Sequence, residues 1–326
     1  MSDYKTILGF RTQSLASDPS PLLEGQIFYN TTSNVAKITI LETVNTNAWA
    51  SGGNLNTARS QLAGAGTQTS ALGFGGQTSP GTPIVASTEK YDGTNWTSVN
   101  SMNTARRGLG GCGTQTAALA FGGFTPPATG ATEKYDGTNW TSVNSMNTAR
   151  FEIAGAGTQT AALAFGGTPP RTGATEKYDG TNWTSVNSMN TARNLLAGCG
   201  TQTAALAFGG TTGSNSAATE KYDGTNWTSV NSMNTARQQL AGAGIQTSAL
   251  AFGGGPPAVG TTELYNGTTW TSNPTGLATA RNALAGCGIQ TSALAFGGAV
   301  APARLTATEE WTGSFTQLAA KTITTS

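Results

Sequence analysis

The chain of 326 residues contains no histidine. That removes an imidazole general base, the Ser-His-Asp arrangement and every His-ligated metal site. Charge is scarce. Lys and Arg number 17, Asp and Glu 16, together 10% of the chain with a net charge of +1. Neither nucleic-acid binding nor attraction to an anionic membrane follows from such a balance. No apolar run approaches the roughly 18 residues of a membrane-spanning helix, so no membrane insertion is expected. Met1-Ser2-Asp3-Tyr4-Lys5 lacks the regions of a secretory leader, so export would need another route, such as release on a particle by lysis.

The few carboxylates mostly recur in register. Glu89, Glu133, Glu176, Glu220, Glu263 and Glu309 share one position, and Asp92, Asp136, Asp179 and Asp223 another. A catalytic pair is singular, whereas a residue repeated along the chain serves the fold. No catalytic residue, no metal site and no cofactor is assigned.

What is abundant is repetition. Thr88–Arg106 reads Thr-Glu-Lys-Tyr-Asp-Gly-Thr-Asn-Trp-Thr-Ser-Val-Asn-Ser-Met-Asn-Thr-Ala-Arg. It returns unchanged at Thr132–Arg150, Thr175–Arg193 and Thr219–Arg237, worn at Thr262–Arg281, and partly from Thr308. A second block, Leu-Ala-Gly-Ala-Gly-Thr-Gln-Thr-Ala-Ala-Leu-Ala-Phe-Gly-Gly or close to it, ends at Gly76, Gly123, Gly167, Gly210, Gly254 and Gly298. The period is about 43 residues. Short apolar runs between turn formers mark antiparallel strands. In one repeat they fall at Leu196–Gly200, Ala204–Gly209, Thr219–Tyr222 and from Trp227 towards Met233, with Asp223-Gly224 as a tight reversal. Such a unit cannot bury both faces alone, so successive units must stack.

Six Gly-Gly pairs in phase, with Tyr and Trp across the third and fourth strands, resemble the kelch repeat over residues 59–320. The resemblance implies an all-β, six-bladed kelch-like β-propeller with four antiparallel strands per blade. The period is shorter than the roughly 50 residues usual for kelch. A WD-type propeller is the alternative, but its Trp-Asp dipeptide is absent. Copper oxidases that share the kelch fold use histidine ligands, so their activity does not carry over. Residues 46–59 mimic a fourth strand and its exit, since Trp49 precedes Arg59 as Trp96 precedes Arg106. That segment either closes the last blade or adds an outer strand.

Residues 1–45 are expected to form an N-terminal β-hairpin anchor and 46–326 the propeller. Gln26–Asn30 and Val35–Ile40, joined by four turn formers, read as the hairpin. The stretch Gly25-Gln-Ile-Phe-Tyr-Asn-Thr-Thr-Ser-Asn34 resembles a hairpin near the start of many bacteriophage tail-fibre and other virion proteins. An ordinary hairpin capping the repeats is the plainer alternative. The resemblance implies a non-enzymatic tail fibre or adhesin on the tail or capsid surface, homo-oligomeric on the particle. Its partners would be other virion proteins through residues 1–45, and a host surface glycan or protein. A purely structural decoration protein and a carbohydrate-active enzyme are the alternatives.

Arg59, Arg106, Arg150, Arg193, Arg237 and Arg281 recur once per unit, as either a basic ring for an acidic ligand or structural partners of the repeated Glu; the second is favoured. Cys112, Cys199 and Cys287 alternate with Ala65, Ala156 and Ala243, too far apart on a six-fold rotor to form disulfides. They read as enlarged alanines, with a three-thiolate axial metal as the rival. Asn95, Asn139, Asn182 and Asn226 form Asn-Trp-Thr sequons and read as turn residues, as do Asn30 and Asn266.

Units differ mainly after the Gly-Gly pair and just after each Arg. Both places fall on one face of an up-and-down blade, and loops on a rigid scaffold are where recognition usually lives. Ser60, Gln61, Arg107, Phe151, Glu152, Arg171, Asn194, Gln238, Gln239 and Asn282 are therefore the candidate partner-binding residues, with Phe151 offering a stacking surface. The opposite turns read as uniform.

Overall fold

Every Tyr-Asp-Gly-Thr-Asn-Trp segment folds as a hairpin, and its local chemistry explains why. In the computed structural model, which describes residues 4–7, 10–44, 46–79 and 83–323, the Asp136 carboxylate accepts the N–H groups of Thr138 and Asn139 at 2.8 and 2.7 Å. Gly137 takes φ +95° between the flanking strands. Asn266 closes the fifth such turn in the same way. The described residues are all-β, with no helix.

The chain forms two compact units. One comprises residues 1–46 and 313–326, the other Asn47–Thr312. The first unit is a five-stranded sheet built from β1 (Tyr4–Ile7), β2 (Phe10–Leu15), β3 (Ile27–Asn30), β4 (Val35–Val44) and the C-terminal strand Phe315–Thr322. The expected hairpin is β3–β4, with Asn30 Oδ1 accepting the N–H groups of Thr32 and Ser33. The C-terminal strand pairs antiparallel with β4 from Phe315↔Val44 to Thr322↔Lys37. Residues 313–326 thus belong with the N-terminal segment and not with the repeats, which corrects the expected boundary. An alternating strand with no Gly-Gly or turn signal after it carries nothing local to say which sheet it joins.

The second unit contains six four-stranded antiparallel sheets in a propeller-like repeat. Sheet 4 is typical: Ala197–Gly200, Ala205–Phe208, Thr219–Tyr222 and Trp227–Val230, in that order. Its second strand is fully buried. Sheet 6 takes its outer strand from the other end of the sequence. The strand β5 (Ala48–Ser51) pairs with Thr308–Thr312, opposing Trp49 to Trp311. The surplus segment therefore completes the last sheet.

Residues that repeat unchanged mostly bond one sheet to the next. Trp183 Nε1 donates to Thr132 Oγ1 of the preceding sheet at 3.0 Å, and its ring packs on Phe121 at 5.1 Å. Trp49 does the same with Thr262 and Phe252, and Trp96 with Thr308 and Phe296, so the series runs round from sheet 6 to sheet 1. The turn Gln159 donates to the carbonyls of Ala118 and Tyr135 in the preceding sheet. Lys134 reaches Gly180 O of the following sheet at 2.6 Å and lies over the Tyr178 ring. Glycines let the inner strands come close. A Cβ on Gly198 would stand 2.4 Å from the Phe165 ring of the preceding sheet.

The repeated arginines are structural. Arg106 meets Glu133 at 2.8 Å, with side chains 0% and 1% exposed, and the other five pairs lie at 2.7–3.2 Å. Arg106 also donates to Gly122 O and Ala131 O, while Glu133 accepts the N–H of Asn103 in the incoming connection.

Candidate functional site

Each incoming connection ends in this buried Arg and is followed by two residues of different duty. The first bridges back to the residue after Gly-Gly, as Ser60 does with Gln77 and Arg107 with Phe124. The second turns left-handed: Gln61, Gly108, Glu152, Leu195, Gln239 and Ala283 have φ between 51° and 60°. Five of the six are not glycine, and each such residue costs about 1–2 kcal/mol in this conformation. A closed circle of backbone hydrogen bonds holds them there. Gln61 donates to Ala283 O, Gly108 to Gln61 O, Glu152 to Gly108 O, Leu195 to Glu152 O, Gln239 to Leu195 O and Ala283 to Gln239 O, at 2.6–3.0 Å. The six sheets thus meet at one hydrogen-bonded ring, above a floor of Leu62, Leu109, Ile153, Leu196, Leu240 and Leu284.

The cavity at this mouth is about 90 Å³. Ligand pockets that enclose a small molecule run to about 300–1,000 Å³. The mouth therefore admits a small group, and anything larger must lie across the rim.

Two side-chain groups stand on that rim. In the first, Arg107 Nη1 donates to Gln61 Oε1 at 2.7 Å. Its guanidinium lies 4.7 Å from the Phe124 ring and 5.9 Å from that of Phe151, and the two rings are 5.0 Å apart. In the second, Asn194 Nδ2 donates to Glu152 Oε2 at 2.6 Å and Arg171 Nε donates to Asn194 Oδ1 at 3.0 Å. Burial pushes the Glu152 carboxyl above its ordinary range, opposed by the Asn194 hydrogen bond and by the charges of Arg107 and Arg171.

Of the candidate residues, the structure brings Gln61, Arg107 and Phe151 into one group and Glu152, Asn194 and Arg171 into the other. Gln238, Gln239 and Asn282 lie half-buried on repeats 5 and 6, without a side-chain hydrogen bond among the described residues. Ser60 is 1% exposed, and its backbone bridges to Gln77. Asn194 is 8% exposed and acts through its neighbours. Phe124 was not among the candidates. The available signal was its place after Gly-Gly, where other repeats carry Gln77, Thr168, Thr211, Gly255 and Ala299.

The opposite turns are less uniform than expected. Ile245 and Ile289 stand where other repeats have Thr, and are 51% and 55% exposed. The three thiols are engaged by neighbouring repeats. Cys112, Cys199 and Cys287 each donate to a carbonyl of another repeat, of Thr158, Ile245 and Thr67. Burial pushes their thiols up to about 12, and no metal-binding cluster occurs among the described residues. The Asn of each Asn-Trp-Thr sequon is a turn residue, its N–H held by the preceding Asp.

No protein-family model matches the chain, and no curated protein matches it significantly. The likenesses to kelch repeats and to virion hairpins therefore rest on the residues quoted above.

Proposed function

We propose that the second unit is a six-bladed kelch-like β-propeller serving as a non-enzymatic recognition module of a bacteriophage particle, most simply a tail fibre or adhesin. The observation that carries this reading is a division of labour. Residues common to the repeats are consumed in bonds between sheets. Blade-specific Arg107, Phe124, Phe151, Glu152, Arg171 and Asn194 gather on one rim, where the repeats share backbone bonds but not side chains. Arg and aromatic side chains are the types that most often anchor interfaces. Among the described residues Glu152 is the one carboxylate of this rim, and the sequence holds no histidine.

The hairpin β3–β4 motivates the rest of the proposal. The first unit joins the propeller to other virion proteins as an oligomer, and the rim meets a host surface glycan or protein. The test is attachment of the particle to host cells with matched variants. Phe151→Ala with Arg107→Ala should weaken attachment without lowering the melting temperature. Thr94→Ala with Thr138→Ala, in the opposite turns, should leave it intact. The reverse pattern would refute the assignment of the binding face.

A further inference from the structure

Most charges of the second unit are engaged by the repeats themselves. Six Arg pair with six Glu inside the sheets. Lys90, Lys134 and Lys177 reach the turns of Asp136, Asp179 and Asp223, and Lys221 reaches the turn of Asn266. Glu310 accepts the Tyr91 hydroxyl. The connections of the variable side carry Arg107, Arg171, Arg304 and Glu152, three cations and one anion.

Arg171 is the best presented of them. It is exposed, in the Thr-Pro-Pro-Arg loop that only repeat 3 carries. Its Nε is occupied by Asn194, which Glu152 anchors in turn, so the end of the guanidinium fork is left to solvent. A guanidinium held at Nε presents its two terminal nitrogens as a planar pair of donors, the geometry that matches a carboxylate or phosphate. Arg107 is steadied by Gln61 and two aromatic rings, which also supply apolar surface. Asn194 links Arg171 to Glu152, and the Glu152 N–H bonds to the carbonyl of Gly108 next to Arg107, so the two arginines belong to one stretch of rim. The shallow cavity suits a ligand that rests on this rim and inserts only a small group.

We propose that the rim of repeats 2 to 4 binds an acidic saccharide. Arg171 takes its carboxylate or phosphate group end-on, Arg107 supplies the second cation, and Phe151 packs against the sugar ring. This deepens the recognition reading and rests on it.

The experiment uses the full chain and paired probes: lactose against 3′-sialyllactose for a carboxylate, and mannose against mannose 6-phosphate for a phosphate. Binding is measured by calorimetry at low and high salt. At least one acidic probe should bind where its neutral partner does not, and more weakly as salt rises. Arg171→Gln should lose about tenfold or more in affinity, the scale of one charge-assisted contact, with an unchanged melting temperature. Arg171→Lys should recover only part, because the fork is lost. Equal binding of neutral and acidic probes, no binding of either acid, or an unaffected Arg171→Gln variant would overturn the proposal. If Phe151 and Arg107 are needed for cell attachment but neither acid binds, recognition by this face stands and the acidic ligand falls. If an acid binds yet cells are not recognised, the opposite holds.

Discussion

Removing the buried cation Arg106 separates two accounts of the six Arg–Glu pairs. An isolated buried ion pair can often be replaced by apolar residues at little cost, because the desolvation penalty vanishes with the attraction. The pair here is not isolated. Arg106 also holds the carbonyls of Gly122 and Ala131 at 2.8 and 2.6 Å, and Glu133 holds the N–H groups of Asn103 and Thr104 at 2.7 and 3.3 Å. Arg106→Met should cost about 3–5 kcal/mol, since it strands a buried carboxylate. Adding Glu133→Leu should not restore stability. Ala131 O keeps the N–H of Gly122, but Gly122 O and the N–H groups of Asn103 and Thr104 lose these partners, and at about 1–3 kcal/mol for each that stays buried, even two of them leave a deficit of about 2–6 kcal/mol. The assay is urea denaturation followed by tryptophan fluorescence, because Trp140 lies in the same sheet as Glu133. A double variant within about 1 kcal/mol of the parent would refute the reasoning and reduce the pairs to ordinary salt bridges.

Three further outcomes are expected. Trp183→Ala should cost about 3–5 kcal/mol, the range for truncating a buried aromatic, and an unchanged melting curve would remove Trp183 from the packing between sheets 2 and 3. A chain of residues 47–312 should fold cooperatively by calorimetry, whereas residues 53–312, lacking β5 and Trp49, should lose the sixth sheet and melt earlier; equal melting would show that β5 does not close it. The turn Asp92, Asp136, Asp179 and Asp223 have carboxyls held below their ordinary value of 3.8, chiefly by backbone N–H bonds. Their contribution is therefore full above that value and lost as pH falls through the lower folded values. Replacing all four by Asn, as Asn266 already does, should flatten the acid limb of the stability profile and leave neutral stability nearly unchanged; an unaltered acid limb would count against it.

The sequence by itself determined the count of six sheets, their strands and most of their turns. Those features are written locally: Asp-Gly reversals, Gly-Gly exits and alternating apolar runs act within a few residues of each other, and they recur in phase. It also indicated that the repeated Glu and Arg belong together, because one of each per unit leaves few other arrangements. Only the tertiary structure decided how the ends are used. Trp49 completes a sheet whose other strands lie beyond residue 284, and Phe315–Thr322 leaves the repeats to pair with β4, since strand partners this distant in sequence are chosen by available edges and not by local signals. The candidate site was legible in outline through the residues that break the repeat. Its content was not, because difference from a consensus is blind to burial and contact: Ser60 is buried, Phe124 sits beside Arg107, and Asn194 serves Arg171 and Glu152. The left-handed ring beneath them was also hidden, for Gln, Glu, Leu and Ala have no local preference for that conformation, and only the closed circle of hydrogen bonds holds them in it.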